Sequence, residues 1–91
     1  MSVISRGTGD FWNLYRELPA HIKDAARRSH RKFRDNPAHP SLHLERLRKD
    51  TRLWAVRVTQ DYRAVARRYE NDVWVWIWIG SHADFDRQFV T

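Results

Sequence analysis

Hydrophobic and polar positions change period once along this chain, and that change divides it into a helical first half and a strand-rich second half. Val3 and Ile4 suit a short strand that Gly7 and Gly9 would weaken or end. From Asp10, a plausible N-cap, Phe11, Leu14, Tyr15 and Leu18 recur at three- and four-residue spacing, which predicts a helix stopped near Leu18 by the following Pro19. Pro19 suits the first turn of a second helix, whose apolar stripe is Ile22, Ala25, Ala26, Ser29 and Phe33. Lys23, Arg27, Arg28, Arg31, Lys32 and Arg34 fill the rest of its surface, and it ends by Asn36-Pro37. With almost no loop between them, the two helices should form an antiparallel or L-shaped hairpin.

Residues Asn36 to Ser41 read as an ordered loop, after which Leu42, Leu44 and Leu47 suggest a short extended segment. Three clearer strands follow at Leu53 to Thr59, Tyr62 to Tyr69 and Val73 to Ile79, joined by tight connections at Gln60-Asp61 and Asn71-Asp72. In the last strand Val73, Val75, Ile77 and Ile79 should face one way and Trp74, Trp76 and Trp78 the other. A strand apolar on both faces belongs at a sheet's centre or under a partner, so the tryptophan row is either core or a landing site. The expected architecture is α+β: a helical hairpin packed on a small antiparallel sheet, a meander of three to four strands, in one domain over residues 1–91.

Composition narrows the function classes. The 91 residues suffice for one core, and 42% hydrophobic with 13% aromatic content argues for folding without staples. The absence of cysteine excludes disulfides, thiolate metal sites and a cysteine nucleophile. No apolar run approaches the ~20 residues that span a bilayer, and Met1 to Asp10 has no signal-like apolar core, so a cytoplasmic protein is expected. The formal charge of +6 concentrates between Lys23 and Arg68, a field that attracts phosphate backbones or acidic proteins when it does not serve solubility alone.

Two segments carry candidate chemistry. Arg57 and Arg63 lie on neighbouring strands across a hairpin, where guanidinium groups either grip a phosphate or pair with Glu45 or Asp61. The run from Ile79 to Asp86 closes the last strand with a glycine turn and delivers His82 beside acidic groups. His82 is either a general acid or base, since histidine titrates near ~6.5, or a structural histidine bonding a loop carbonyl or Asp84. His39 and His43 are four apart, but Pro40 breaks the helix that would align them for a metal. Phosphate-binding glycine loops, serine elbows and zinc-binding HExxH motifs are lacking, and no cofactor is expected.

Taken together, Asn36-Pro37-Ala38-His39-Pro40-Ser41-Leu42, the Arg-Val-x-x-x-Tyr-Arg-Ala-Val run at Arg57 to Val65, and Trp-Ile-Gly-Ser-His at Trp78 to His82 resemble the RelE/ParE superfamily of toxins from bacterial type II toxin–antitoxin systems. The resemblance covers about Phe11 to Phe89. It implies a helical hairpin on an antiparallel sheet, and a cognate antitoxin that wraps and neutralises the toxin. Many members cut mRNA in the ribosomal A site without metal, the 2′-hydroxyl attacking the adjacent phosphate. By position, Arg63 would then bind the scissile phosphate with support from Arg57, His82 would be the proton-transfer group, and Glu45 a candidate for a second such group. The accompanying RNA-binding surface would be Lys49, Arg52, Arg67 and Phe85. Many RNA-cleaving members have a tyrosine near the end, where the nearest residue here is Phe85, and no C-terminal helix is expected. The alternatives are a gyrase-poisoning toxin, as in the ParE branch, and a non-catalytic module that binds nucleic acid or antitoxin.

Overall fold

The computed structural model describes residues 3–90; Met1, Ser2 and Thr91, and with them the start of the stretch from Met1 to Asp10, lie outside the described residues. Strand β1 (Ile4–Gly7) leads into helix α1 (Gly9–Arg16), helix α2 (Ala20–Asp35) and a single 3₁₀ turn at Pro40–Leu42. Strands β2 (Glu45–Arg46), β3 (Leu53–Thr59), β4 (Tyr62–Tyr69) and β5 (Val73–Ser81) follow, and the chain finishes with helix α3 (His82–Phe85), which widens into a π turn at Asp86–Val90.

The five strands lie in the order β1-β5-β4-β3-β2, one more than the largest meander expected. Neighbours among β2 to β5 are antiparallel, whereas β1 pairs parallel with β5, Ser5 opposite Trp74 and Gly7 opposite Trp76. The parallel pair is possible because the whole α1–α2 hairpin and three strands intervene, far more chain than a parallel crossover needs.

Some boundaries differ from the sequence expectation for identifiable reasons. Thr8, not Asp10, caps α1: its hydroxyl accepts from the Phe11 amide at 3.1 Å, which leaves Asp10 in the first turn, where a carboxylate favours the helix dipole. Gly80 lies within β5 rather than in a turn, and the strand runs two residues further than expected, to Ser81. A C-terminal helix does form, because Ser81 caps it through a bond from the Asp84 amide at 3.1 Å and Phe85 buries beneath the sheet. The extended segment between Leu42 and Leu47 shrinks to two residues of strand, since Leu42 enters the 3₁₀ turn and His43 turns left-handed at φ 47°.

The sheet separates two apolar clusters. On the helix side Phe11 and Phe33 pack against Val56, Ala64, Trp74, Trp76 and Ile79, with Leu42 closing one end. On the other side Leu47, Ala55, Val65, Trp78 and Phe85 form a smaller cluster with Phe89 at its edge. All three tryptophans of β5 are therefore core, but they do not share a face as strict alternation predicts. The register steps from Ala66 opposite Trp76 to Val65 opposite Trp78, so Ile77 is an extra residue and a bulge inverts everything after it. Trp78 thereby joins the smaller cluster, and Ile79 takes its place beside Trp74 and Trp76. Burying rings such as Phe33, 1% exposed, stabilises the fold by roughly 1.5–3 kcal/mol each. No described helix is long and apolar enough to cross a membrane.

Candidate functional site

The face away from α1 and α2 is covered only in part by the C-terminal turns, and charged groups converge where that cover ends. Arg57 on β3 stands directly opposite Arg63 on β4, so the two side chains leave the same face, at the usual cross-strand spacing of about 5 Å. Glu45 on β2 pairs with Ala55, two residues before Arg57, which puts its side chain on that face as well. Gly80 lies opposite Arg63 on the other flank. A Cβ there would fall 2.7 Å from the Trp78 ring, so the glycine leaves room for the indole to lie against the strand beside the arginine.

Carbonyls fix Arg63. Its Nη1 donates to the Thr59 carbonyl at 2.9 Å, the Tyr62 carbonyl at 3.1 Å and the Gln60 carbonyl at 3.4 Å, tying one side of the guanidinium to the β3–β4 turn. Burial and then the neighbouring Arg57 charge lower its pKa, while Glu45, Asp86 and Asp61 pull the other way. Arginine stays protonated throughout the working range. Among the described residues neither Arg57 nor Arg63 forms a salt bridge with a carboxylate, the nearby Glu45, Asp61 and Asp86 acting on Arg63 at longer range.

His82 reaches this place through the end of β5. Its amide donates to the Asp61 carbonyl at 2.7 Å, anchoring the residue against the β3–β4 turn. Its Nε2 lies 3.5 Å from Asp86 Oδ1, one helical turn on, while Asp84 is bonded to Arg87 and not to the histidine. Asp86 was not among the residues singled out from sequence. The signal was the His82–Asp86 spacing of one turn, legible only once a helix is known to start at His82.

The remaining sequence candidates divide. Arg67 shares the open face, further along β4, and its guanidinium stacks 4.7 Å from the Tyr69 ring. Lys49 and Arg52 lie on the loop between β2 and β3; Arg52 grips Asp50 through two bonds of 2.9 and 2.8 Å, holding that carboxyl down to about 2. Phe85 does not belong to a binding surface. It is 3% exposed and packs against Trp78 and Phe89, so it supports the site from below. His39 caps the 3₁₀ turn, its Nδ1 accepting from the Ser41 amide at 3.2 Å.

The fold recurs in solved toxin structures. The RelE–RelB complex from Pyrococcus horikoshii OT3 superposes with a TM-score of 0.72 at 13% identity, over 89% of this chain and 96% of that one. A YoeB/ParE toxin from Agrobacterium tumefaciens gives 0.71 at 19% identity over 88% and 99%, and YafQ from Escherichia coli BL21(DE3) gives 0.73 at 10% over 91% and 97%. No curated protein sequence matches the chain. The family model of the ParE-like toxin domain matches residues 20–87, most of the chain, and the chain belongs to that family. It is a toxin of the RelE/ParE superfamily.

Proposed function

We propose that this toxin is a ribosome-dependent mRNA endoribonuclease that works without metal and is neutralised by a cognate antitoxin. The observation that carries the reading is the placement of Arg57, Arg63 and Glu45 on one open face, with His82 anchored to the β3–β4 turn next to it and neither arginine tied up in a salt bridge among the described residues. In the cleavage step Glu45 takes the proton of the 2′-hydroxyl as its oxygen bonds to phosphorus. His82 gives a proton to the departing 5′ oxygen as the phosphorus–oxygen bond breaks, leaving a 2′,3′-cyclic phosphate. Arg63, preorganised by its carbonyl contacts, and Arg57 stabilise the charge that builds on the phosphoryl oxygens. Proton transfer by a placed side chain contributes about 10²- to 10⁴-fold.

The antitoxin partner is supported by the neighbouring structures, several of them toxin–antitoxin complexes, and by the formal charge of +6 that an acidic chain would neutralise. In-vitro translation with purified protein, followed by primer extension on the message, tests the nuclease reading. New mRNA ends should appear only with ribosomes and weaken about 100-fold or more in His82→Ala and Arg63→Ala. An intact message with arrested growth and damaged DNA would instead assign the chain to gyrase poisoning, the reading that its ParE-like family favours.

A further inference from the structure

A cleft of about 630 Å³ opens between α1, α2 and β1, on the helix side of the sheet and apart from the arginine face. That volume lies in the range typical of small-molecule sites. Its inner wall is core, with Phe33, Val56 and Ile79 lining it, and Phe11 and Trp12 forming the side contributed by α1.

A chain of hydrogen bonds runs into this apolar space. The Trp76 indole, a donor only, gives its hydrogen to Ser5 Oγ at 2.7 Å, and Ser5 Oγ lies 2.8 Å from His30 Nε2. The serine oxygen still has a second lone pair and its own hydrogen, so it either donates to Nε2 or accepts from it. Burial, and then the charge of Arg34 one turn along α2, hold His30 below its ordinary pKa, which favours the neutral ring. Among the described residues Nδ1 forms no hydrogen bond, so the relay ends on an open ring nitrogen.

Arginines surround the mouth. Arg27 is engaged by Asp24 and Tyr15, but Arg6, Arg31 and Arg34 form no salt bridge among the described residues. A site with aromatic walls, donors in excess and no internal carboxylate selects an anion attached to an apolar body.

We propose that this cleft binds a small amphiphilic carboxylate of the medium-chain fatty acid type. The headgroup accepts from the Arg34 guanidinium and from the His30 ring, whose Nδ1 carries the proton when the Ser5 hydroxyl donates to Nε2, and the chain lies on Phe11, Phe33 and Trp76. The site is separate from the proposed nuclease face, and its existence does not depend on that reading.

Decanoate is the probe, with decanol as the uncharged control, followed by calorimetry and by the indole N–H signals of the ¹⁵N-labelled protein. Decanoate should bind at one site per chain and shift the Trp76 and Trp12 indole signals while leaving Trp78, across the sheet, in place. Decanol should bind at least tenfold more weakly, and Arg34→Gln and His30→Phe, each shown by circular dichroism to be folded, should lose at least tenfold in decanoate affinity. Non-saturable binding, equal binding of decanol, or unchanged affinity in both folded variants would overturn the proposal. Indole shifts with an acidic, leucine-rich peptide but none with decanoate would also overturn it, making the cleft a protein-docking groove.

Discussion

His30 shows how one half-buried side chain sets a pH response. The folded chain holds this histidine below its ordinary value through burial and Arg34, so the unfolded chain takes up the proton first as pH falls. Its contribution to stability is therefore complete above about 6.5 and is lost as pH drops below that value toward the folded pKa. Asp50 does not confuse the measurement. Its carboxyl, held at about 2 by Arg52, contributes fully above the ordinary carboxylate range and loses that contribution only as pH falls toward about 2. The melting temperature should thus decline between pH 7.5 and pH 5, and decline less steeply in His30→Gln; equal slopes would place the acid sensitivity elsewhere. Gly80 offers a second test at this scale. A methyl group there meets the Trp78 ring at 2.7 and 2.8 Å, so Gly80→Ala should destabilise by about 1–3 kcal/mol in urea unfolding and displace the strand beside Arg63.

At the scale of elements, caps and the bulge decide where chemistry can be presented. Thr8 satisfies the Phe11 amide at the start of α1, so Thr8→Ala should cost about 1 kcal/mol and lower the melting temperature by roughly 4–8 °C. The Asp10→Ala change, expected from sequence to remove the cap, should cost less, because Asp10 contributes only through the helix dipole. The bulge at Ile77 has a different consequence. By sending Trp78 to the smaller cluster it gives Phe85 a ring to pack on, at 6.3 Å between centroids, and so seats the turn that carries His82 against the β3–β4 turn. A regular β5 would turn Trp78 to the helix side and leave that turn without its anchor.

At the scale of the whole molecule, the two sides of the sheet separate two kinds of positive charge. The outer surface of α2 carries Arg28 and its neighbours, while Arg57, Arg63 and Arg67 occupy the opposite face. Affinity for a short single-stranded RNA should fall linearly with the logarithm of salt concentration, each phosphate contact contributing about 0.7 to the slope. Arg57→Gln and Arg63→Gln should flatten that slope, whereas Arg28→Gln should leave it unchanged. Equal flattening in all three would mean that RNA binds the whole cationic surface without preferring the open face.

The period of apolar residues by itself determined the two helices and the limits of β3 and β4, because each signal is local: a stripe at helical spacing, or alternation between tight turns. Facing strands also placed Arg57 and Arg63 together, since a short hairpin leaves few registers open. What depended on contacts distant in sequence was decided only by the tertiary structure. The parallel pairing of β1 with β5 joins residues at opposite ends of the chain, and the bulge follows from packing two different clusters on the two sides of one strand. The short helix after β5 forms because Phe85 finds Trp78 and Phe89 beneath the sheet, and this turns Phe85 from a surface candidate into core. Asp86 reaches the site by the same route, carried there by a turn whose stability comes from burial and not from its own sequence.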